Sequence, residues 1–427
     1  MERCQGGIPC EHCIRSKRQC QQQTRISPDA ISFVSFTASD LALQLSQQVQ
    51  RSSNEIYLEC FAAFLDRCRF RRGFISVSQD LVPLIYQSPS LQDIAVAIGA
   101  LNAGRRGSAR SVDEGNSPEY VAFRSYGRSI QALQVQLAAP DVAESEDVLW
   151  GTFLLGLFEL ISEPTGERWP KHMLYGTSKI LQLLGPSATY SPLRRRLFEA
   201  FRVLEANRMI IYGQDSFLSQ KQWMHFQRCE DTAGSGFDAL ETMLELMIRV
   251  SSFSKGFFNI IESVPDTARF FDPSIDALAG EGVDLQHRIQ EWQNIIVLGH
   301  DNEDVFVQLA KSYYYATLLF LVRNYTYYTC WHGRPIPSLT PDEISQHIND
   351  ILMLAEGIVK TSDIPGVMLL FPLRMAGAHA TEPLQRGKAL SVLDQIHQKG
   401  FIVSDRIAVD LRELWEYQDM GGRLSER

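Results

Sequence analysis

Thr340-Pro341-Asp342-Glu343-Ile344-Ser345-Gln346-His347-Ile348-Asn349-Asp350-Ile351-Leu352-Met353-Leu354-Ala355 is the stretch from which the fold class is most directly read. Thr340 offers a hydroxyl to the free N–H groups of a helix start, and Pro341 has its φ preset for the first helical position. Glu343 stands where a carboxylate reaches back to the N-cap N–H, which completes a capping box. Behind that start, Ile344, Ile348, Ile351, Leu352 and Ala355 recur at three- and four-residue spacing and therefore share one helix face.

The same rhythm extends upstream. Leu41, Leu45 and Val49 recur every four residues, and Tyr57, Phe61, Phe64, Leu65 and Cys68 continue it. Ser90 to Leu101 reads as a capped helix with Ser90 at its start, Ile94, Ala97, Ile98 and Leu101 on its apolar face, and Gly104 at its stop. Breaks rich in glycine, serine, proline or charge fall at 104–118, 228–236 and 333–337 and read as loops. No β-branched run alternates with period two between turn pairs, and no fixed-period repeat emerges. The expectation is an all-α fold, with one large helical domain over 39–427, a linker over 26–38 and a separate cysteine-rich segment over 1–25.

Charge is unevenly placed. The chain of 427 residues carries 41 basic and 50 acidic residues, a formal charge of -9. Up to Arg25 there are five basic residues (Arg3, Arg15, Lys17, Arg18 and Arg25) against two acidic ones, so the rest of the chain would repel a polyanion. Four of the eight cysteines crowd the same segment as Cys4-x5-Cys10-x2-Cys13-x6-Cys20, whereas Cys60, Cys68, Cys229 and Cys330 are scattered. No apolar stretch precedes Cys4, so a reducing compartment is expected, where metal ligation is favoured over disulfides. Two cysteines two residues apart can turn both thiolates toward one tetrahedral zinc, with the remaining ligands from neighbouring turns. The most apolar run, Val148 to Ile161, is interrupted by Glu159 and too short to span a bilayer, so a soluble protein without membrane contact is expected.

This segment resembles the C-terminal two-thirds of the fungal binuclear zinc cluster, Zn(2)-Cys(6), whose pattern is C-x2-C-x6-C-x5 to 12-C-x2-C-x6 to 8-C. Cys4, Cys10, Cys13 and Cys20 match its third to sixth ligands, Arg3 the basic residue often found before the third, and Pro9 the frequent proline before the fourth. Only Met1, Glu2 and Arg3 precede Cys4, so the first two ligands and the basic helix between them and the third have no counterpart here. By ligand count one tetrahedral zinc on Cys4, Cys10, Cys13 and Cys20 remains possible. Arg3, Arg15, Lys17 and Arg18 read as DNA phosphate contacts, and the last three also as part of a nuclear-import signal. The basic trio Arg15, Lys17 and Arg18 reads equally as a solvated helix face.

A second resemblance covers much of the remainder. Trp169-Pro-Lys-His172-Met-Leu-Tyr-Gly176-Thr-Ser-Lys-Ile180-Leu-Gln-Leu-Leu184-Gly185 is similar to a signature of the fungal-specific transcription regulatory domain. Phe371-Pro-Leu-Arg-Met-Ala-Gly377, with Gly400-Phe401-Ile402 further on, resembles its closing part. The resemblance implies a non-enzymatic, all-helical regulatory region, a nuclear location, DNA as partner, and transcription co-regulators as further partners. Trp169 and Leu184 are expected in its core.

Rival readings stay open. A regulator acting by protein contact without DNA binding fits the same cysteine stub. A helical enzyme or ligand carrier rests only on the aromatic stretch Tyr313, Tyr314, Tyr315, Tyr325, Tyr327 and Tyr328, which reads more often as helix core and rim; His172 reads as a packed interior group, and Glu241 and Glu245 or Asp301, Glu303 and Asp304 lack diagnostic metal spacing. The arginine clusters 69, 71, 72 and 194–196 read as solvated helix ends. No phosphate-binding glycine loop, H-E-x-x-H or G-x-S-x-G elbow is present. Leu41, Leu45 and Val49 cover under two heptads, too few for a coiled-coil dimer.

Overall fold

The structure, a computed structural model, describes residues 53–74, 77–106, 117–139, 142–166, 176–186, 190–224, 238–299 and 303–420. Among these residues every regular element is a helix and none is a strand, as the three-and-four periodicity requires. The first group comprises α1 (Ser53–Leu65), α2 (Val77–Gln87), α3 (Pro89–Arg105), α4 (Pro118–Gln136) and α5 (Glu146–Ser162). After α6 (Ser178–Leu184) come the long α7 (Pro192–Tyr212) and the short α8 (Lys221–Met224). The second group comprises α9 (Ala239–Ser263), α10 (Pro273–Gly299), α11 (Val305–Asn324), α12 (Pro341–Thr361), α13 (Leu370–His379), α14 (Pro383–Gln398) and α15 (Ser404–Asp419).

In the first group α3 is the hub, packed by α1, α4 and α5. Its small residues Ala95, Gly99 and Ala103 stand four apart and let α1 approach until a Cβ on Gly99 would lie 1.8 Å from the Tyr57 carbonyl oxygen. In the second group α11 is the hub, packed by α9, α12 and α13. Helix α7 joins the two, touching α2 and α5 on one side and α9 and α13 on the other. One continuous core runs through both groups, from Tyr57 to Trp415.

The capping box at Thr340 forms as read: Thr340 Oγ1 accepts from the Glu343 N–H at 3.2 Å, and Glu343 accepts from the Thr340 N–H at 2.7 Å. Thr340 Oγ1 also donates to the Glu343 carboxylate at 2.9 Å, and the bonds from the Thr340 N–H and hydroxyl hold that carboxyl below its usual range. The start of α3 differs from expectation. Ser88, not Ser90, occupies the N-cap position because Pro89, with φ preset, takes the first helical place, and Gly104 lies inside the helix, which runs on to Arg105. The loop at 333–337 is present and turns on Gly333, whose φ of 79° only glycine adopts at no steric cost. Of the loop expected at 104–118, Gly104 and Arg105 belong to α3 and Pro118 starts α4, while 107–116 lies outside the described residues, as do the loop expected at 228–236, the rhythm of Leu41 to Val49, and Trp169. Leu184 packs half-buried against the core at the end of α6.

Val148 to Ile161 forms most of α5 and is wholly buried. Its single charge, Glu159, accepts a hydrogen bond from Tyr126 Oη at 2.6 Å. By length and composition α11 alone among the described helices is apolar enough to cross a bilayer, and 61% of its apolar span is buried inside the domain. Its hub position accounts for that composition.

Candidate functional site

Cys4, Cys10, Cys13, Cys20, Arg3, Arg15, Lys17 and Arg18 lie outside the described residues, as does His172. The described parts of the regulatory signature are packing devices. Gly176 presses against Thr152, where a Cβ would come within 3.1 Å, and Thr177 Oγ1 donates to Thr152 Oγ1 at 3.1 Å. Gly377 admits Leu411, and its carbonyl accepts from Trp415 Nε1 at 2.9 Å. Arg374 donates to the Ile211 carbonyl at 2.7 Å and so closes the end of α7.

Five helix C-termini converge on a cavity of about 540 Å³. Its lining comes from Arg67 just beyond α1, from Asn102 and Arg105 at the end of α3, and from Ile161 at the end of α5. Ser362 after α12 and His397 and Lys399 at the end of α14 complete the ring. Such ends leave free carbonyls and partial negative charge, so cations belong there. Arg105 donates to the Gly400 carbonyl at 2.7 Å and to the Ile161 carbonyl, and Lys399 donates to the Ser362 carbonyl at 3.1 Å. Burial lowers the affinity of both Arg105 and Lys399 for their protons. Gly400, at φ 103°, lets the chain reverse after α14 and bring Phe401 within 6.2 Å of the Phe64 ring. The signal for this site was in the sequence, as basic residues closing apolar helices at Arg105-Arg106 and Lys399, but it was not read there.

The arginine clusters are solvated only in part: Arg69 and Arg72 are exposed, whereas Arg71 and Arg194 are not. Arg71 is buried and pairs with Asp238 at 2.6 Å and Glu241 at 3.5 Å. Arg194 is buried and donates to the Glu144 carbonyl at 2.6 Å. Arg69, Arg72 and Arg196 pair with Asp363, Asp304 and Asp80. In α7, Arg202 pairs with Glu241 at 2.7 Å, reaches Glu245 at 3.9 Å and donates to the Trp223 carbonyl. Glu241, Glu245 and Asp304 are thus engaged by arginines, Asp304 also caps α11, and Asp301 lies outside the described residues. Among the described residues no group of three or more His, Cys, Asp or Glu side chains is placed to hold a metal.

Glu199 faces this network. Burial pushes its carboxyl up, Glu241 and Asp238 add to the rise, and Arg71 and Arg195 oppose it. A carboxyl raised in the fold contributes stability below its unfolded pKa and loses it as pH climbs through the folded value. Glu199→Gln is therefore expected to melt above the parent at pH 7, with the gap closing toward pH 5; a variant that melts lower at pH 7 would show that the Arg71 attraction outweighs burial.

The tyrosine stretch is core and edge. Tyr313 is fully buried, donates to the Met368 carbonyl at 2.8 Å and accepts from Asn207 at 2.9 Å. Tyr314 stacks on Trp292, and Tyr315 meets His347, with its phenol pushed up to about 12 by burial. Tyr325 sits between Phe257 and Trp331 and donates to the Leu278 carbonyl. Tyr327 and Tyr328 lie under the guanidinium groups of Arg323 and Arg269.

Fold and site together define an all-helical domain with buried arginines paired to carboxylates and a ligand-sized cavity. Residues 74–425 match the fungal specific transcription factor domain, and the chain belongs to that family. Over 104 residues it is 27% identical to the Uncharacterized protein AN5342 of Emericella nidulans, a match covering 24% of this chain and 22% of that protein. The chain thus spans less than a quarter of that relative's length. No solved structure matches the chain.

Proposed function

We propose that the protein is a zinc-cluster transcription regulator, in which residues 1–25 bind metal and DNA, 26–38 link, and 39–427 regulate. The observation that carries this reading is the presence, in one chain, of the family's helical domain and a Cys4-x5-Cys10-x2-Cys13-x6-Cys20 spacing. Four thiolates suit one tetrahedral zinc, which would fix the fold of a segment too short to bury a core. The described cysteines of the helical domain do not compete. Cys68 is fully buried and its thiol is pushed well up by desolvation, while burial also raises Cys60 and Cys330. Arg3, Arg15, Lys17 and Arg18 supply phosphate contacts, which position a protein on a duplex without reading bases. The site of action is the nucleus, and the helical domain receives co-regulators.

The DNA part is tested by titrating the chain against a duplex at several salt concentrations. Each phosphate contact contributes a slope of about -0.9 to log K against log salt, so Arg15→Gln and Lys17→Gln should each flatten it by roughly one unit. Unchanged slopes in both variants would leave the protein-contact reading in its place.

A further inference from the structure

The geometry points to the cavity among α1, α3, α12 and α14 as a binding site for a small organic acid, its carboxylate held by Arg67 and Arg106 and its apolar body lying against Phe64, Phe401 and Ile402. The volume of about 540 Å³ lies within the range of small-molecule sites. Four permanent cations line it, and they divide into two pairs by what they already hold. Arg105 and Lys399 answer the carbonyls of the converging helix ends. Arg67 makes one side-chain hydrogen bond, to Asn102 at 3.3 Å, and the Arg106 guanidinium has no hydrogen-bond or ion-pair partner among the described residues.

One carboxylate, Asp363, lines the cavity and acts on Lys399, and Asp405 reaches the lining His397. Asp363 pairs with Arg69 at 3.8 Å, and Asp405 pairs with His397 at 2.9 Å. Two guanidinium forks therefore face the space with donors to give, which is the geometry that takes a carboxylate. Phe64 and Phe401, both buried, supply an apolar wall that a bare inorganic anion would not use. Because the lining comes from both helical groups, an acid bound here would tie α1 and α3 to the turn between α14 and α15.

The test uses the full chain, with hexanoate and phenylacetate as probes, hexanamide and phenylacetamide as their uncharged matches, and inorganic phosphate at equal ionic strength. Calorimetric titration and melting temperature are the readouts. Both carboxylates should bind and raise Tm, with the amides and phosphate at least about tenfold weaker. Arg67→Gln and Arg106→Gln should each weaken carboxylate binding by about tenfold or more, and Arg106→Lys, which keeps charge but loses the fork, should fall between. Arg106 is exposed, so the unliganded Arg106→Gln variant should melt with the parent, whereas half-buried Arg67 gives up its bond to Asn102 and Arg67→Gln should melt slightly lower; should a variant not fold, the carboxylate-to-amide ratio on the parent still decides. Amides binding as well as carboxylates, phosphate binding as well as either acid, or full binding by the Arg67→Gln, Arg106→Gln double variant would each overturn the assignment.

Discussion

Gly99→Ala is expected to destabilise the domain by about 3 kcal/mol or more, at the upper end of overpacking effects. The reason is that the clash is with backbone. A Cβ at this position would stand 1.8 Å from the Tyr57 carbonyl oxygen, 2.7 Å from its carbon and 3.0 Å from the Phe61 nitrogen. No rotamer change can relieve that, so α1 and α3 must separate and expose Tyr57 and Phe61, which are buried in the core. The matched control is Gly127→Ala in α4, where a Cβ would meet nothing within 4 Å. That change should stabilise by about 0.5–1 kcal/mol, since alanine loses less backbone freedom on folding. Denaturant midpoints for the two variants should shift in opposite directions; a Gly99→Ala protein as stable as the parent would contradict the helix contact described.

The second large effect is expected at Glu205. Its side chain and that of Arg208 are both fully buried on α7, joined by two bonds of 2.7 Å in a fork. Arg208 also donates to Gln214 and to the Asp215 carbonyl, which folds the turn at Gly213 back onto the helix. Glu205→Ala leaves a buried guanidinium without its counter-charge and should cost about 3–5 kcal/mol. The double variant Glu205→Leu, Arg208→Met removes both charges and should recover most of that loss. If it melted no higher than the single variant, the damage would lie in lost packing or in the Gly213 turn rather than in the orphaned charge.

Helix α7 also shows where sequence reasoning stops. Residues 200–210 are buried on every side, yet they include Arg202, Glu205, Asn207 and Arg208. A pattern reader assigns such residues to solvent, because nothing local shows that Glu241 of α9 or Tyr313 of α11 will meet them. Arg71 and Arg194 escaped for the same reason, since their partners are 167 and 50 residues away. The all-α class, by contrast, was legible because its signals are local: the Thr340 box, the apolar run of α5 and the spacing of Tyr57, Phe61 and Phe64. Even there Pro89 shifted the start of α3, an effect visible in the sequence but outranked by the serine at 90. The cavity was hidden more deeply. Each basic helix end could be seen alone, but their convergence depends on how α1, α3, α5, α12 and α14 pack.

The central claim, that a metal-binding segment and the family's helical domain act in one regulator, is tested most directly by the zinc content of the purified chain and its Cys→Ser variants. The helical domain offers no competing group of ligands among its described residues, so the metal can be traced to the segment that holds it. The account predicts about one tightly held zinc per chain, tetrahedral and thiolate-bound, as cobalt substitution would show by absorption. Cys10→Ser and Cys13→Ser should each abolish it while leaving the melting of the helical domain unchanged. A chain that holds no zinc, or one that keeps it when Cys4, Cys10, Cys13 and Cys20 are all serine, would contradict the account.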